Sequence, residues 1–434
     1  MNDITVKFIT LGCKTNIYES EAMAQLFEDA GFEVIAKGTA DICVVNTCTV
    51  TGTGAAKSLK QIRRARRENP NAVLAVTGCL AQTEADRLRE AENIDVLIGN
   101  KYRSQIVSLC QGALNGKKTD KVDDILKTRE FEELGIVHRQ RRIRAEIKIE
   151  DGCNNFCSYC KIPYARGPVR SRDIDKIAEE AKVLGQDGYS EIVLTGIHIG
   201  SYGKDLNDGT SLIDVMETVD KASGVPRLRL GSLEPVMITK EFTKRASALK
   251  SLCAQFHLSL QSGCDKTLTA MHRHYTTDDF RKAVKNLRSA FPDVAITTDL
   301  IIGFPGETEA DFEASKAFCE EIGFSQMHIF PYSVREGTAA AKLPDRVSDA
   351  DKDRRCHIML KSAAEMKKDF YRCYIDRELP VLFEQKKGDM WIGMTENYME
   401  VRMPSEENLK GKTANVTVEG YDDEGEYLTI RIAN

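Results

Sequence analysis

The stretch AEIKIEDGCNNFCSYC, residues 145–160, joins a short apolar run to three closely spaced cysteines. These are Cys153, Cys157 and Cys160, and the residues around them are mostly polar or small, as in a loop. A structural zinc site needs four ligands, and a disulfide framework needs an even number of cysteines. Three thiols directly after a strand therefore indicate a different kind of site.

The run before these cysteines is the first of six strand-like runs between about residues 140 and 370. The runs are AEIKIE, EIVLTGI, RLRLGS, QFHLSLQ, AITTDLIIGF and QMHIFPY. Stretches with helical spacing, such as residues 172–186 and 308–321, lie between them. Parallel strands with crossover helices predict a full or partial β/α barrel. Chemistry in such barrels lies at the carboxyl ends of the strands, which is where the three cysteines fall.

Two further regions flank this barrel. Residues 3–115 alternate the runs VKFITLG, ICVVN, AVLAVTG and IDVLIG with helical stretches, which predicts an open α/β sheet. The helices are expected at about residues 19–30, 55–68, 81–92 and 103–112. Residues 116–138 are polar and charged and suit a linker. From about residue 375 to 434, five short alternating runs separated by turn signals predict a small β-barrel.

Composition narrows the class of protein. The first 20 residues carry charges and no long apolar run, and no window reaches the roughly 18 apolar residues of a membrane span, so we expect a cytoplasmic protein without a membrane partner. Thiols stay reduced there, so 13 cysteines indicate metal or redox chemistry rather than crosslinks. The net charge of −5 argues against wholesale coating of nucleic acid, although it leaves room for a local basic site.

The three barrel cysteines allow three interpretations. They could be buried small hydrophobes, but their polar loop surroundings fit that poorly. They could belong to a zinc site completed by the distant His198 or His257. The third interpretation is a [4Fe–4S] cluster held by three thiolates, with one iron left open.

A second set of cysteines lies in the first region. Cys13, Cys48 and Cys79 each follow an apolar run immediately. In a parallel sheet such loops emerge along one edge, so the three thiols are expected to converge and to ligate a second cluster with one open iron. The competing interpretation is three unrelated buried cysteines. The remaining seven are interpreted as structural: Cys43, Cys110, Cys253, Cys264, Cys319, Cys356 and Cys373.

The spacing C-x3-C-x2-C, with Tyr159 before the last cysteine, resembles the radical S-adenosylmethionine (SAM) superfamily. The segments LTGIHIGSYG and TTDLIIGFPGE are also similar to later segments of that superfamily. The resemblance implies a partial β/α barrel and a [4Fe–4S] cluster whose open iron chelates SAM. It makes Tyr159, Gly196 and Gln261 candidate SAM contacts. Gly196 and Gln261 are also compatible with ordinary loop structure.

The whole chain resembles the methylthiotransferases, through GCK-N at Cys13, NTC at Cys48, GC at Cys79, the three barrel cysteines and the small C-terminal barrel. The resemblance implies an N-terminal domain over residues 1–115 that binds an auxiliary [4Fe–4S] cluster through Cys13, Cys48 and Cys79. It implies a linker over 116–138, a radical SAM partial barrel over 139–372 and an RNA-binding TRAM barrel over 373–434. The cofactors implied are two [4Fe–4S] clusters and SAM.

In that family, SAM cleavage yields a carbon radical that activates an aromatic C–H bond, and a methylthio group replaces the hydrogen. The motifs LGCKTNIYESE, RLRLGSLEP and FPYSVREGTAAAKL most resemble the subgroup acting on N6-threonylcarbamoyladenosine next to the tRNA anticodon. Subgroups acting on isopentenyladenosine tRNA or on a ribosomal-protein aspartate are the alternatives. The latter tends to have proline after its first ligand cysteine, where Lys14 stands here.

Two basic segments fit RNA: residues 57–67 carry six positive residues, and residues 139–148 carry five against one acid. The first could equally be a solvated helix face. A barrel that binds phosphate would be expected to be basic, but residues 381–434 carry six positive against eleven acidic residues. Either a local patch of Lys386, Lys387 and Arg402 suffices for binding, or the barrel acts by shape.

The expected partners are the anticodon stem-loop of tRNA and a one-electron donor such as flavodoxin or ferredoxin. A non-catalytic iron–sulfur sensor that binds RNA is the alternative from another functional class.

Overall fold

The computed structural model describes residues 4–138 and 143–433. Residues 139–142, which begin the second basic segment, lie outside the described residues, so the predicted RNA contact there stays a prediction. Among the helices within the described ranges, none is both long and apolar enough to cross a membrane.

The first domain is a parallel sheet with helices on both faces. Its strands are β1 (Thr5–Thr10), β2 (Glu33–Ile35), β3 (Ile42–Thr47), β4 (Val73–Gly78), β5 (Val96–Ile98) and β6 (Thr119–Lys121). Its helices are α1 (Lys14–Asp29), α2 (Gly52–Glu68), α3 (Cys79–Thr83), α4 (Ala85–Ala91) and α5 (Ile106–Leu114). The strand order is β2-β1-β3-β4-β5-β6, which confirms the predicted open α/β architecture.

The two central strands, β3 and β4, are buried at every position. Cys43 and Val45 pack into an apolar cluster on one face, whereas Ile42 and Val44 pack into another on the opposite face. Strands covered by helices on both sides are apolar without alternation, which is why the sequence showed them clearly.

The two outermost strands, β2 and β6, were not predicted. Each has only three residues, and β6 has the polar sequence Thr-Asp-Lys, so local composition carries little strand signal. Strand β6 pairs with β5 inside the segment predicted to be a linker. The sheet therefore extends past residue 115, and a 3₁₀ helix at Ile125–Lys127 follows it.

Within residues 143–372, the central domain holds eight strands and most of the described helices. Its strands are β7 (Arg144–Lys148), β8 (Glu150–Asp151), β9 (Arg170–Ser171), β10 (Glu191–Thr195), β11 (Arg227–Leu230), β12 (Gln255–His257), β13 (Ala295–Ile302) and β14 (Gln326–Pro331). Its helices are α6 (Ile162–Arg166), α7 (Ile174–Gln186), α8 (Leu212–Ser223), α9 (Lys240–Ala246), α10 (Asp265–Ala270), α11 (Thr277–Ala290), α12 (Glu309–Ile322) and α13 (Asp349–Arg372). Other 3₁₀ helices lie at Arg103–Gln105, Ile199–Ser201, Pro235–Met237 and Ala340–Lys342.

Six of these strands form the partial barrel. Two parallel groups, β7-β10-β11 and β12-β13-β14, are joined by bridges between Leu228 and Leu252 and between Leu233 and Leu258. All six sequence runs predicted as strands are present, so the predicted partial β/α barrel is confirmed. Strands β8 and β9 pair antiparallel beside the loop with the three cysteines.

Local sequence explains where several barrel helices begin. Helices α8, α11 and α12 each start with a capping box, in which a hydroxyl and an aspartate three residues later satisfy each other's backbone N–H. The pairs are Ser211 with Asp214, Thr276 with Asp279 and Thr308 with Asp311.

The last domain is a closed five-stranded barrel, as predicted. Its strands are β15 (Glu378–Lys387), β16 (Met390–Thr395), β17 (Glu400–Pro404), β18 (Thr413–Asp422) and β19 (Tyr427–Ile432), in the order β15-β16-β17-β19-β18. It docks onto the partial barrel through two buried arginines of β11. Arg227 donates to the Met394 carbonyl at 2.8 Å, and Arg229 donates to the Thr395 carbonyl at 2.9 Å. That the barrel is a TRAM domain, and where the domain boundaries fall, stay predictions.

Candidate functional site

Three cysteines meet at one edge of the first sheet. Cys13, Cys48 and Cys79 follow β1, β3 and β4, which are neighbours in the sheet. A side chain at Gly12 would lie 3.1 Å from Cβ of Cys48, so the loop with Cys13 touches the loop with Cys48. Burial raises the pKa of Cys79, and the nearby thiols of Cys13 and Cys48 raise it further. The structure thus brings the three thiols together, and their role as cluster ligands stays a prediction.

One buried arginine reaches this group from the central domain. Nε of Arg166 donates to Sγ of Cys79 at 3.2 Å, and Nη2 donates to Oδ1 of Asn16 at 2.6 Å. The positive charge of Arg166 opposes the rise that burial causes in the pKa of Cys79. Cys79 therefore carries a fixed hydrogen-bond donor that stabilises its thiolate form.

Arg166 belongs to a buried ionic network between the first two domains. It donates to Glu19 at 3.0 Å, and Lys148 donates to Glu19 at 2.7 Å and to Asp151 at 2.6 Å. Burial would raise the pKa of Glu19, but Arg103, Arg166 and Lys148 outweigh it and hold that pKa below its usual range. Because a buried charge is costly unless it is paired, this network ties the two domains together.

The second group of cysteines occupies the loop after β8. The Cys153 amide donates to the Gly167 carbonyl at 3.0 Å, and the Cys160 amide donates to the Cys157 carbonyl at 2.9 Å. Burial raises the pKa of Cys153 and of Cys160 to about 12. Both thiols therefore hold their protons at neutral pH, and metal binding has to displace them.

A second arginine, whose side chain is largely buried, contacts this loop. Nη1 of Arg273 donates to Sγ of Cys157 at 3.1 Å, and Nη2 pairs with Oε1 of Glu234 at 2.7 Å. Each of the two cysteine groups thus has one thiol that accepts a hydrogen bond from a buried guanidinium.

The backbone before Cys153 accepts only glycine. Gly152 has φ of +91°, and a Cβ there would lie 1.9 Å from the Pro168 carbonyl oxygen. A side chain would therefore meet rigid backbone as well as an unfavourable dihedral angle. This close approach fixes where the cysteine loop leaves the strand.

The spacing of the thiols tests which metal group they fit. In neither group do all three sulfurs of the described cysteines lie within 4.8 Å of one another. A single tetrahedral zinc, with Zn–S bonds of about 2.3 Å, would hold its sulfurs about 3.8 Å apart. At least one sulfur pair in each group is therefore spaced more widely than a single zinc would hold it, which leaves room for a polynuclear iron–sulfur cluster. Of the proposed zinc partners, His257 lies instead beside Asp299, and His198 lies 3.3 Å from Glu234.

The three residues predicted to contact SAM occupy different places. Tyr159 packs against an apolar cluster that contains Met271, Phe304 and Tyr332. Gly196 follows β10, and a Cβ there would lie 2.8 Å from Oε2 of Glu150. Gln261 has φ of 67°, and its backbone N–H donates to the Asp299 carbonyl at 2.9 Å. Their role as SAM contacts stays a prediction.

A cavity of about 460 Å³, here called the interdomain cavity, lies between the first domain and the partial barrel. Its wall includes Cys13, Lys14, Gly196, His257, His328 and Tyr398, so all three domains contribute. The hydroxyl of Thr15 also donates to the Gly196 carbonyl at 3.2 Å, which joins the Cys13 loop to the barrel. The volume falls within the roughly 300–1,000 Å³ of typical small-molecule sites.

Sequence reasoning missed a polar group on the barrel wall. His257, Asp299 and His328 have ligand atoms within 4.8 Å of one another. The register pairs His257 with Thr297 and Asp299 with His328, so side chains of alternate positions on β12, β13 and β14 share one face. The alternation of side chains along each strand, which places these three residues on one face, was the signal in the sequence that could have found them.

Three of the six cations of the basic segment on helix α2 are paired within their own domain. Arg63 pairs with Glu92 at 2.7 Å, and Arg66 pairs with Asp95 at 2.5 Å. Arg64 pairs with Glu68 in the next turn. The predicted patch on the last barrel is also partly engaged, since Lys386 donates to the Ser405 carbonyl at 2.8 Å and Arg402 pairs with Glu400 at 2.6 Å. The solvated-face interpretation of α2 therefore gains support.

Comparison with known families finds two matches along the chain. Residues 5–99 match the "Uncharacterized protein family UPF0004", and residues 147–319 match the "Radical SAM superfamily". Among solved structures, the radical S-adenosylmethionine methyltransferase TsrM from Kitasatospora setae has a TM-score of 0.59. It is 14% identical in sequence, and the match covers 79% of this chain and 77% of that chain, so it shows a shared fold.

Curated relatives extend over nearly the whole chain. The threonylcarbamoyladenosine tRNA methylthiotransferase MtaB of Bacillus subtilis (strain 168) is 39% identical over 98% of this chain and 97% of its own. The protein of the same name from Aquifex aeolicus (strain VF5) is 35% identical over 92% of this chain and 96% of its own. The tRNA-2-methylthio-N(6)-dimethylallyladenosine synthase of Acetivibrio thermocellus is 32% identical over 94% of this chain and 87% of its own.

Proposed function

Because the chain belongs to the threonylcarbamoyladenosine tRNA methylthiotransferase family of radical SAM enzymes, we propose that it methylthiolates N6-threonylcarbamoyladenosine next to the tRNA anticodon. The product is the 2-methylthio derivative of that nucleoside. The observation that carries this proposal is the pair of three-cysteine groups, each with one thiol that accepts a hydrogen bond from an arginine. Cys13 of the first group also lies on the wall of the interdomain cavity.

SAM and [4Fe–4S] clusters are the cofactors of this enzyme family, and the thiols of this chain fit clusters. Cys153, Cys157 and Cys160 would hold the cluster that binds SAM, and Cys13, Cys48 and Cys79 would hold the auxiliary cluster. When bound, these groups supply the radical cleavage of a C–H bond and the sulfur that replaces hydrogen.

The chain's own residues hold and shield these groups. Arg166 and Arg273 each donate a hydrogen bond to one candidate ligand thiol, which lowers the cost of its negative charge. Glu150 accepts hydrogen bonds from the amides of Ile197 and His198 at 3.0 and 2.7 Å, so it fixes the Gly196 loop. Tyr159 packs against apolar side chains and so holds its loop against the central domain.

tRNA is the substrate class of this family, and the anticodon stem-loop is the part proposed to bind here. We further propose a one-electron donor such as flavodoxin or ferredoxin, because SAM cleavage at a cluster needs one electron. A cytoplasmic location is proposed on the same basis as the tRNA substrate. The last barrel is proposed to be a TRAM domain that helps to bind RNA.

Two substrate alternatives are less favoured. Relatives named for dimethylallyladenosine, which corresponds to the isopentenyl alternative, are less similar than those named for threonylcarbamoyladenosine. The ribosomal-protein alternative is less favoured because that subgroup tends to have proline where this chain has Lys14. The non-catalytic sensor is disfavoured because it does not need a cavity bordered by both Cys13 and Gly196.

The direct test is methylthiolation of a defined RNA. Cluster-loaded protein, SAM and dithionite are incubated with an anticodon stem-loop that carries threonylcarbamoyladenosine, and nucleosides are analysed by mass spectrometry. We expect the methylthio derivative to form, and the same RNA with isopentenyladenosine to stay unmodified. Modification of the isopentenyl RNA alone, or a SAM-cleaving protein that modifies neither RNA, contradicts the proposal.

A further inference from the structure

The interdomain cavity has an uneven distribution of charge. Two residues with permanently cationic side chains, Lys14 and Arg229, lie on its described wall. Arg229 is fully engaged: it donates to the carbonyls of Thr395 and Glu396 and pairs with Glu191 at 3.0 Å. Its guanidinium also lies 4.8 Å from the ring centroid of Tyr398. Arg229 therefore serves docking of the last barrel rather than ligand binding.

Lys14 differs from Arg229 in having no partner among the described residues. Within residues 4–138 and 143–433, its ammonium group contacts no carboxylate and no hydrogen-bond acceptor, and its side chain is exposed. It is the first residue of α1 and follows Cys13 directly. An uncommitted cation beside a candidate ligand of the auxiliary cluster is placed to meet an anionic group of the substrate.

Other polar groups complete this part of the wall. His328 lines the cavity with its ring 6.0 Å from that of His257, and Nε2 of His257 lies 3.3 Å from Oδ2 of Asp299. Gln255 and Gln326 lie on the same wall. Donors and acceptors of this kind suit a ligand with amide and hydroxyl groups as well as a charge.

We propose that the interdomain cavity receives the threonylcarbamoyl group of the substrate nucleoside and that Lys14 pairs with its carboxylate. This inference rests on the proposed function and adds its specificity determinant. The threonylcarbamoyl group carries a carboxylate, a hydroxyl and a urea, whereas an isopentenyl group carries none of these. A carboxylate that leaves water needs a partner, so an unpaired cation favours the first nucleoside over the second.

The test measures RNA binding without turnover. Cluster-loaded protein, kept anaerobic and without SAM, is titrated into two labelled anticodon stem-loops that differ only in carrying threonylcarbamoyladenosine or adenosine. In Lys14→Met we expect affinity for the threonylcarbamoyl RNA to fall roughly tenfold to a hundredfold, with little change for the adenosine RNA. Lys14→Arg should keep most of the preference because it retains the charge. Lys117→Met is the matched control, since Lys117 is exposed in the same domain and does not line the cavity.

Three outcomes overturn the assignment. If Lys14→Met loses affinity equally for both RNAs, Lys14 contacts a phosphate. If Lys14→Met keeps the full preference for the threonylcarbamoyl RNA, Lys14 contacts neither the carboxylate nor a phosphate. A preference that persists in Lys14→Met and depends on added Mn²⁺ assigns the carboxylate to an ion held by His257, Asp299 and His328. Failure of the proposed function is seen separately, because wild-type protein would then form no methylthio product from the threonylcarbamoyl RNA. Iron content must match wild type in every variant, since Lys14 is next to Cys13.

Discussion

Nε of Arg166 lies 3.2 Å from Sγ of Cys79, although 87 residues separate them along the chain. The same guanidinium pairs with Glu19, which is fully buried. One side chain of the central domain thus serves both a candidate cluster ligand and the interface between two domains.

Replacing Arg166 by methionine should destabilise the protein strongly. The change leaves Glu19 and Asp151 short of one buried partner, and breaking a buried ion pair in this way costs about 3–5 kcal/mol. Urea unfolding of Arg166→Met against wild type measures the loss. Arg67→Met is the control, because Arg67 is exposed and such surface changes cost within about 0.5 kcal/mol. Equal losses in both variants would show that the network does not hold the domains.

The two cysteine groups should divide the reaction between them. Cys157→Ala should abolish SAM cleavage, because Cys157 belongs to the group assigned to the SAM-binding cluster. Cys48→Ala should leave SAM cleavage intact and stop methylthio insertion, and each variant should lose about half of the bound iron. The measurements are 5′-deoxyadenosine formation, nucleoside mass spectrometry and iron content. Loss of SAM cleavage in Cys48→Ala would contradict the division.

Gly152→Ala should disturb the second cysteine loop beyond the cost of its backbone angle. Gly152 and Gly188 both have left-handed φ, +91° and +80°, but a Cβ at Gly188 meets nothing within 4 Å. Gly188→Ala should therefore lose about 1–2 kcal/mol from the dihedral angle alone. Gly152→Ala should lose more of the free energy of unfolding and should bind less iron, because its Cβ meets the Pro168 carbonyl. If the two variants unfold alike and hold equal iron, the close approach is unimportant.

Glu150→Gln should flatten the pH dependence of stability. Burial raises the pKa of Glu150 from 4.5 to about 8, so the folded state binds this proton more tightly than the unfolded chain does. The free energy of unfolding should therefore fall as the pH rises from about 4.5 to about 8, by a contribution on the order of 5 kcal/mol. Glutamine keeps an acceptor for the His198 amide and removes the titration.

Unfolding of wild type and Glu150→Gln between pH 5 and pH 8 measures that difference. Glu424→Gln is the control because Glu424 is exposed. Parallel pH curves for wild type and Glu150→Gln would show that Glu150 does not govern this dependence.

The sequence predicted those features that depend on neighbours along the chain. Cys13, Cys48 and Cys79 could be grouped because each follows a buried strand, and parallel topology brings strand ends together. The six barrel strands were readable because each lies in a short run with recurring apolar residues, and stretches with helical spacing lie between the runs. Strands β2 and β6 were missed because three-residue edge strands carry almost no pattern.

Contacts between domains were not predictable in the same way. Nothing near Arg166 indicates that its partners are Glu19 and Cys79, and nothing near Arg229 indicates that it binds carbonyls of the last barrel. The six cations of residues 57–67 looked available for RNA, yet Arg63 and Arg66 pair with Glu92 and Asp95, which come from distant segments. Such pairings depend on the assembled fold.

If it receives the target nucleotide as proposed, the interdomain cavity also constrains the shape in which the RNA must arrive. Its wall is built from all three domains, with Cys13, Gly196 and Tyr398 each from a different one. An adenine stacked between its neighbours in an anticodon loop cannot place its C2 edge inside such a recess. The target nucleotide therefore has to swing out of the stack, at an unstacking cost of a few kcal/mol that contacts inside the cavity must offset.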